Sequence, residues 1–300
     1  AKAQVASPTH PIVIDQLPSE TVVALAPGHM ALDRDFILRI DRTADQHSVL
    51  VEREGEGGYV ALASFVPQMP TPASLPPKNI KIMVDCSGSM AGDAITQARQ
   101  AIRDILQHLR PEDFFNIVAF GSEARAFFAQ QVPATAKNIT VVRRQLRSLE
   151  ADMGGTEMGE ALQLAIHLAG STLPPDMLLI TDGQIWEFAS LMQMARDSGH
   201  RVFTVGVGSA VAEPFVRCLA RETGGACELV TPNEDMAATI VRHFKRIMLP
   251  HTEDVSVQWP MEPVQRIPEQ LGQVFAGDTI HAFARFREQP AGPVTLTLSL

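Results

Sequence analysis

Apolar residues follow a distinct pattern in the middle of the chain. Between residues 78 and 249, solid apolar runs alternate with stretches of helical spacing, and the runs are IKIMVD, FFNIVAF, MLLITD, RVFTVGVG and the weaker ACELV. Strands that are apolar at nearly every position are typical of a parallel sheet covered by helices on both faces. The pattern therefore predicts an α/β region with a doubly wound, mostly parallel, Rossmann-like sheet.

Helices are predicted between these strands. The first has apolar residues at helical spacing from Ile95 to Leu109, with Asp93 as a capping residue at its start and Pro111 after its end. The same spacing predicts later helices over residues 142–149, 158–168, 188–195, 215–222 and 236–247.

Short β patterns flank this region on both sides. The runs before it are TVVALA, DFILRI, SVLVER and YVALASFV, and those after it are VSVQW, VFAGDTIHAFARF and VTLTLSL. Residues 66–79 contain five prolines, which favour extended geometry and mark a boundary. We therefore predict a β-rich segment (1–70), a proline-rich linker (71–77), the α/β domain (78–249) and a second β-rich segment (250–300).

The two β segments can form either two small domains or one domain into which the α/β domain is inserted. The chain begins without Met and stops inside the alternating run VTLTLSL. We therefore expect it to be a piece of a longer protein.

Composition narrows the classes of partner. The chain has 300 residues and a formal net charge of −9, and it lacks the stripe of Lys and Arg that phosphate binding needs, so nucleic acid is not expected as a partner. It has no run of about 18 apolar residues, so no membrane contact is expected within it. Three cysteines are too few for a disulfide framework and are expected to be buried thiols, although a Cys218–Cys227 bridge stays open.

Polar side chains follow the strands at the edge where ligands bind in parallel sheets. Asp85 ends the first strand and is followed by Ser87 and Ser89, Asp182 ends the strand MLLIT, and Thr156 precedes a helix. Two neighbouring carboxylates repel unless a cation lies between them. An all-oxygen set of hydroxyls and carboxylates suits Mg²⁺ or Mn²⁺, in preference to Ca²⁺, and does not suit zinc or copper.

Other sites could use the same residues. An Asp-Ser cluster is also typical of polar turns. A Mg²⁺-dependent phosphoryl-transfer hydrolase would use Asp85 as its nucleophile, although Ser87 occupies the position where a second aspartate is usual. GSMAG has Met90 where the serine hydrolase motif needs serine, and no G-x-G-x-x-G follows the first strand. The phosphoryl-transfer hydrolase is the alternative that remains.

DCSGSM, the threonine of GGTEM and the aspartate of TDG resemble the three parts of the metal-ion-dependent adhesion site of von Willebrand factor type A domains. The resemblance covers about residues 78–249. It implies that Ser87, Ser89 and Thr156 offer hydroxyls to the ion, while Asp85 and Asp182 hold it directly or through water. It further implies a non-enzymatic adhesion or protein-interaction module, in which a partner's Asp or Glu completes the coordination. Met90, beside this site, is expected to be exposed and to contact the partner.

The flanks resemble a narrower group. RDFILRI, PEDFFNIVAF, VQWP and LGQVFAGDTI are similar to the inter-alpha-trypsin inhibitor heavy chains and their bacterial relatives. Those proteins pair a vault-protein/inter-alpha-trypsin β domain with a type A domain, and only the end of such a β domain would fit before residue 70. The resemblance implies a secreted or cell-envelope setting, although these 300 residues contain no recognisable targeting signal.

Overall fold

The computed structural model describes residues 4–7, 9–17, 21–26, 36–41, 47–55, 57–70, 75–183, 188–208, 211–231, 234–252 and 254–299. Contacts divide the chain into two units. The smaller contains Ala1–Pro67, Pro260–Arg266 and Thr279–Val294, and the larger contains Gln68–Trp259, Ile267–Asp278 and Thr295–Leu300. Residues 34–35 of RDFILRI, residues 71–74 of the predicted linker and Leu300 lie outside the described residues.

The described residues form nineteen strands and six α-helices. The strands are β1 (Gln4–Ala6), β2 (Ile12–Gln16), β3 (Thr21–Leu25), β4 (Arg39–Asp41), β5 (Ser48–Arg53), β6 (Tyr59–Phe65), β7 (Asn79–Asp85), β8 (Phe114–Phe120), β9 (Ala124–Ala126), β10 (Val132–Pro133), β11 (Pro175–Thr181), β12 (Arg201–Val207), β13 (Cys227–Val230), β14 (His251–Thr252), β15 (Asp254–Gln258), β16 (Gln265–Ile267), β17 (Val274–Phe275), β18 (Ile280–Phe286) and β19 (Thr295–Ser299). The helices are α1 (Asp93–Ile105), α2 (Ala136–Leu146), α3 (Met158–His167), α4 (Phe188–Asp197), α5 (Glu213–Glu222) and α6 (Met236–Ile247).

A seven-stranded sheet forms the centre of the larger unit. Its order is β10-β8-β7-β11-β12-β13, with β9 also paired to β8. Strands β8, β7, β11, β12 and β13 are mutually parallel, whereas β9 and β10 run antiparallel to β8. The predicted α/β class and its mostly parallel, doubly wound sheet are therefore confirmed.

Burial on both faces explains why the central strands are apolar at nearly every position. All seven residues of β7 are buried. Its residues Ile80, Ile82 and Val84 belong to a core cluster shared with α1, α2 and α6, whereas Met83 belongs to a second cluster shared with α3, α4 and α5. Because each face packs on helices, a polar position in this strand needs a specific partner.

Two helix starts differ from the prediction. Helix α2 begins six residues before the predicted start, because Thr135 caps it by accepting a hydrogen bond from the backbone of Asn138. Ala136 and Lys137, the first two residues of the helix, are exposed, so the buried face of α2 becomes apparent only later in the sequence. Helix α1 begins at Asp93 itself, and its N-cap is Gly92, whose φ of 86° only glycine adopts readily. The prediction of Asp93 as the cap was therefore wrong.

The smaller unit contains a four-stranded sheet in the order β16-β18-β6-β5. Strands β6 and β18 pair antiparallel over seven residues, so segments that precede and follow the α/β region in the chain share one sheet. In β18 every second residue is buried, which is the period expected when one face of a sheet is covered. Two further antiparallel pairs, β1 with β4 and β2 with β3, lie in the N-terminal segment.

None of the helices in the described ranges is both long enough and apolar enough to span a membrane.

Candidate metal centre

The predicted site residues meet at the carboxyl end of the central sheet. Asp85 is the last residue of β7, and Asp182 directly follows β11, which pairs in parallel with β7. The chain places β8 on one side of β7 and β11 on the other, so the strand order reverses between β7 and β11. Ligands of open parallel sheets bind in the crevice at such a reversal.

The carboxylate of Asp85 is held by two hydrogen bonds. Its Oδ1 accepts from the backbone N–H of Ser87 at 2.9 Å, and its Oδ2 accepts from the hydroxyl of Thr181 at 2.6 Å. The Thr181 oxygen in turn accepts from the backbone N–H of Gly183 at 2.9 Å. Asp85 has no exposed surface. The two hydrogen bonds hold its carboxylate in place and offset part of the free-energy cost of removing it from water.

A series of hydrogen bonds links the two serines to the second aspartate. The hydroxyls of Ser87 and Ser89 lie 3.0 Å apart, and Ser89 donates to Oδ1 of Asp182 at 2.8 Å. Burial raises the pKa of Asp182, the hydrogen bond from Ser89 opposes that rise, and the charge of Asp85 adds to it. A cation near these carboxylates would favour their charged forms and so lower the pKa of Asp182.

Backbone hydrogen bonds bring the loop with Thr156 to the same place. The N–H of Met153 donates to the carbonyl of Cys86 at 3.0 Å, and the N–H of Gly88 donates to the carbonyl of Gly154 at 2.9 Å. A Cβ on Gly183 would lie 2.9 Å from the Thr156 methyl group and 3.3 Å from Oδ2 of Asp85. All five predicted residues therefore lie close together, and the lack of a side chain at Gly183 leaves room between Thr156 and Asp85.

The donor set fits a hard divalent cation. It consists of three hydroxyls and two carboxylates, which are the oxygen ligands that Mg²⁺ and Mn²⁺ accept. In the described part of the chain, no three or more side chains of His, Cys, Asp and Glu are grouped to hold a metal. The hydroxyls of Ser87, Ser89 and Thr156 would thus be an essential part of any coordination here.

Two sulfur-containing residues beside the serines are buried. Met90 has no exposed surface and belongs to the core packed on α1, so the expectation that it contacts a partner was wrong. The reason is that Gly88–Met90 form a short 3-10 turn, which directs Met90 inward. Burial, with the charge of Asp85 as a smaller cause, raises the pKa of Cys86 to about 12, so its thiol is protonated.

Cys218 and Cys227 are partly buried free thiols, without a bridge between them.

Sequence patterns did not identify the residues that support the site. Thr181 orients Asp85, and the hydroxyl of Ser122 accepts from the backbone N–H of Gly155 at 2.8 Å, which steadies the loop before Thr156. Thr181 is the single polar residue at the end of the run MLLIT, and this exception to an apolar strand was the available signal. Ser122 lies in an ordinary polar turn and gave none.

Comparisons with known proteins identify the family. A sequence model of the von Willebrand factor type A domain matches residues 78–229, just over half of the chain. Human von Willebrand factor A domain-containing protein 5A is 28% identical over 318 aligned residues, which cover 96% of this chain and 40% of that protein. Human inter-alpha-trypsin inhibitor heavy chain H4 is 28% identical over 287 residues, which cover 89% of this chain and 30% of that protein. The chain therefore spans less than half the length of either relative.

A solved structure shows the same fold. The protein described as von Willebrand factor type A from Catenulispora acidiphila superposes with a TM-score of 0.53 at 18% sequence identity, over 84% of this chain and 69% of that one. The predicted resemblance to type A domains and to inter-alpha-trypsin inhibitor heavy chains is confirmed by these similarities. The chain belongs to the von Willebrand factor type A domain family.

Proposed function

We propose that the larger unit is a metal-ion-dependent protein-binding and adhesion module. Ser87, Ser89 and Thr156 offer hydroxyl oxygens to Mg²⁺ or Mn²⁺, and Asp85 and Asp182 hold the ion directly or through water. When bound, the ion supplies an open coordination position for the carboxylate of an Asp or Glu on a partner protein. The surrounding loops select that partner.

The series of hydrogen bonds from Ser87 through Ser89 to Asp182 carries this proposal. It joins side chains from two different strand ends at 3.0 Å and 2.8 Å, with Asp85 and Thr156 beside them. Hydroxyls are neutral, so an ion that Ser87, Ser89 and Thr156 contact directly, with the carboxylates acting through water, would carry positive charge at its open position. That charge favours an anionic partner group.

The buried state of Asp85 disfavours the alternative hydrolase. A nucleophilic carboxylate must approach a phosphorus atom with an unhindered oxygen. Asp85 has no exposed surface, and each of its oxygens accepts a hydrogen bond. We therefore propose binding and no turnover at this site.

Divalent cations are expected to bind and stabilise the protein. At a Mg²⁺ concentration one hundred times the dissociation constant, a single site should raise the free energy of unfolding by about 2.7 kcal/mol. Isothermal titration calorimetry with Mg²⁺ and with Mn²⁺, together with thermal unfolding, measures both effects. Asp85→Ala, Thr156→Ala and Asp182→Ala should each remove measurable binding.

The control for this experiment is Ser148→Ala, which removes an exposed hydroxyl at the end of α2 and should leave the titration unchanged. Unchanged Mg²⁺ binding in Asp85→Ala and Thr156→Ala would show that the site is assigned to the wrong residues. Steady phosphate release from generic phosphoesters that Asp85→Asn abolishes would favour the hydrolase.

Thr181→Val is expected to weaken Mg²⁺ binding about 10- to 100-fold, the usual cost of losing a residue that orients metal ligands. Valine has nearly the shape of threonine but cannot donate to Asp85 or accept from Gly183. Thr181→Ser keeps the hydroxyl and should retain most of the affinity in the same calorimetric titration. Equal affinities of the two variants would mean that the Thr181 hydroxyl does not position the site.

A further inference from the structure

A small cavity adjoins the candidate metal centre on the side of α1 and α6. Its volume is about 190 Å³, and Ser89 and Asp182 form the wall that it shares with the centre. A water molecule occupies about 30 Å³ in the liquid, so the cavity corresponds to roughly six waters. A side chain next to a residue bound at the centre could therefore enter it.

The floor of this cavity is apolar. It is formed by Ala94 of α1, Val207 and Val230 at the ends of β12 and β13, and Met236 of α6. Val207, Val230 and Met236 are almost fully buried, so they form a fixed surface. Such a floor favours methylene groups, whose transfer from water stabilises a complex.

The rim of the cavity is acidic. It carries Asp93 at the start of α1 and Glu234 just before α6. Asp93 accepts a hydrogen bond from Gln97, and Glu234 accepts one from Thr231 at 3.2 Å. The described lining contains no Lys, Arg or His, and within the described chain neither carboxylate has a cationic partner in an ion pair.

We propose that this cavity receives a lysine or arginine side chain of the partner protein, close in sequence to the acidic residue bound at the metal centre. Lysine and arginine have long aliphatic stems with a charged end, so the stem can lie on the apolar floor while the cation reaches the acidic rim. The proposal rests on the proposed function. It narrows the partner to a segment that combines an acidic residue with a nearby basic one.

Short labelled peptides test this directly. Each contains one Asp and carries lysine, norleucine or glutamate at a single position within three residues on either side, and binding to the whole chain with Mg²⁺ is measured by fluorescence anisotropy. Norleucine has the stem of lysine without the charge. At one or more positions we expect lysine to bind roughly tenfold more tightly than norleucine, as two partly exposed ion pairs would give. Glutamate at those positions should bind most weakly.

Charge removal at the rim provides the second test. In the double variant Asp93→Asn with Glu234→Gln, the lysine and norleucine peptides should bind with about equal affinity. The affinity for Mg²⁺ in calorimetry should stay unchanged. The matched control is Asp152→Asn with Glu160→Gln, which removes the same charges from exposed residues flanking the Thr156 loop and should keep the preference.

The outcomes distinguish a failure of the cavity proposal from a failure of the proposed metal-dependent function. Mg²⁺-dependent binding without a preference for lysine at any position would overturn the cavity proposal alone. An equal loss of preference in the control variant would also overturn it, because the selectivity would then come from the overall negative potential. If no peptide bound in a Mg²⁺-dependent manner, the proposed function would fail and the cavity proposal would fall with it.

Discussion

Gly121→Ala is expected to lower the free energy of unfolding of the larger unit by about 3 kcal/mol, the upper range for overpacking a rigid interior. An added Cβ would overlap the side chain and carbonyl oxygen of Met153 and lie 2.8 Å from its carbonyl carbon. Backbone atoms cannot rotate away as a flexible side chain can. Urea titration followed by tryptophan fluorescence measures the change, because Trp259 belongs to this unit.

The same substitution should also affect the candidate metal centre. Met153 accepts a hydrogen bond from the backbone of Ser122 at 2.6 Å and donates to Cys86, and Glu157 donates to the carbonyl of Gly121 at 2.7 Å. If Met153 is displaced, the loop that carries Thr156 loses these attachments. We therefore expect Mg²⁺ affinity to fall about tenfold or more, although no metal ligand has been replaced.

Gly272→Ala is the matched control for this prediction. Gly272 lies in the same unit, and a Cβ there meets no atom within 4 Å. Its replacement should leave the free energy of unfolding and the Mg²⁺ titration nearly unchanged. If Gly121→Ala were as stable as this control, the packing of Met153 against the turn after β8 would not be a fixed feature of the fold.

Features of the fold could be predicted from the sequence when their physical cause acts within one segment of the chain, and could not when it depends on contacts between distant segments. The central strands were predicted because burial on both faces makes β7 apolar throughout, and this cause acts on each strand separately. The pairing of β6 with β18 has no local cause, since their paired residues are more than 200 positions apart in the chain. Local patterns allowed either one β domain or two, and only the register of the strands shows that they share a sheet.

The candidate site divides in the same way. Asp85 and Asp182 follow from strand ends, because neighbouring parallel strands end at one edge. The support from Thr181 and Ser122 depends on contacts across 96 and 33 residues, which no local pattern encodes. For Met90 the prediction itself was wrong: a residue beside the proposed ion was expected to be exposed, but one turn of 3-10 helix directs it into the core.

Acidification from pH 7 to pH 5 is expected to lower the free energy of unfolding of the larger unit through two buried histidines. Burial lowers the pKa of His200 and that of His243 to about 4, from an ordinary value of 6.5. The unfolded chain therefore binds more protons than the folded one between pH 6.5 and about 4. The contribution of each neutral histidine to the free energy of unfolding is fully present above pH 6.5 and decreases as the pH falls. At pH 5 the loss is about 2 kcal/mol per histidine.

The surroundings of each ring explain why the neutral form is preferred. Nε2 of His200 accepts a hydrogen bond from the ammonium of Lys81 at 2.9 Å. A proton on Nε2 would therefore place two positive charges in direct contact. His243 contacts the carbonyl of Ala226 through Nε2 at 2.9 Å, and Arg246 and Arg242 oppose a positive charge on its ring. Glu228 lies 3.9 Å from its Nδ1, a weak attraction beside the cost of burial.

Variants isolate the two histidines from other groups that titrate. Asp182 and Asp278 have raised pKa values because of burial, so they take up protons in the folded state and act in the opposite direction. The test is therefore the difference between variants in urea titrations at pH 7 and pH 5. His200→Gln and His243→Gln should each reduce the loss between these pH values by about 2 kcal/mol. His108→Gln, which changes an exposed histidine, should leave the loss as it is in the unmodified chain. An undiminished loss in both buried-site variants would mean that neither histidine is held neutral by the fold.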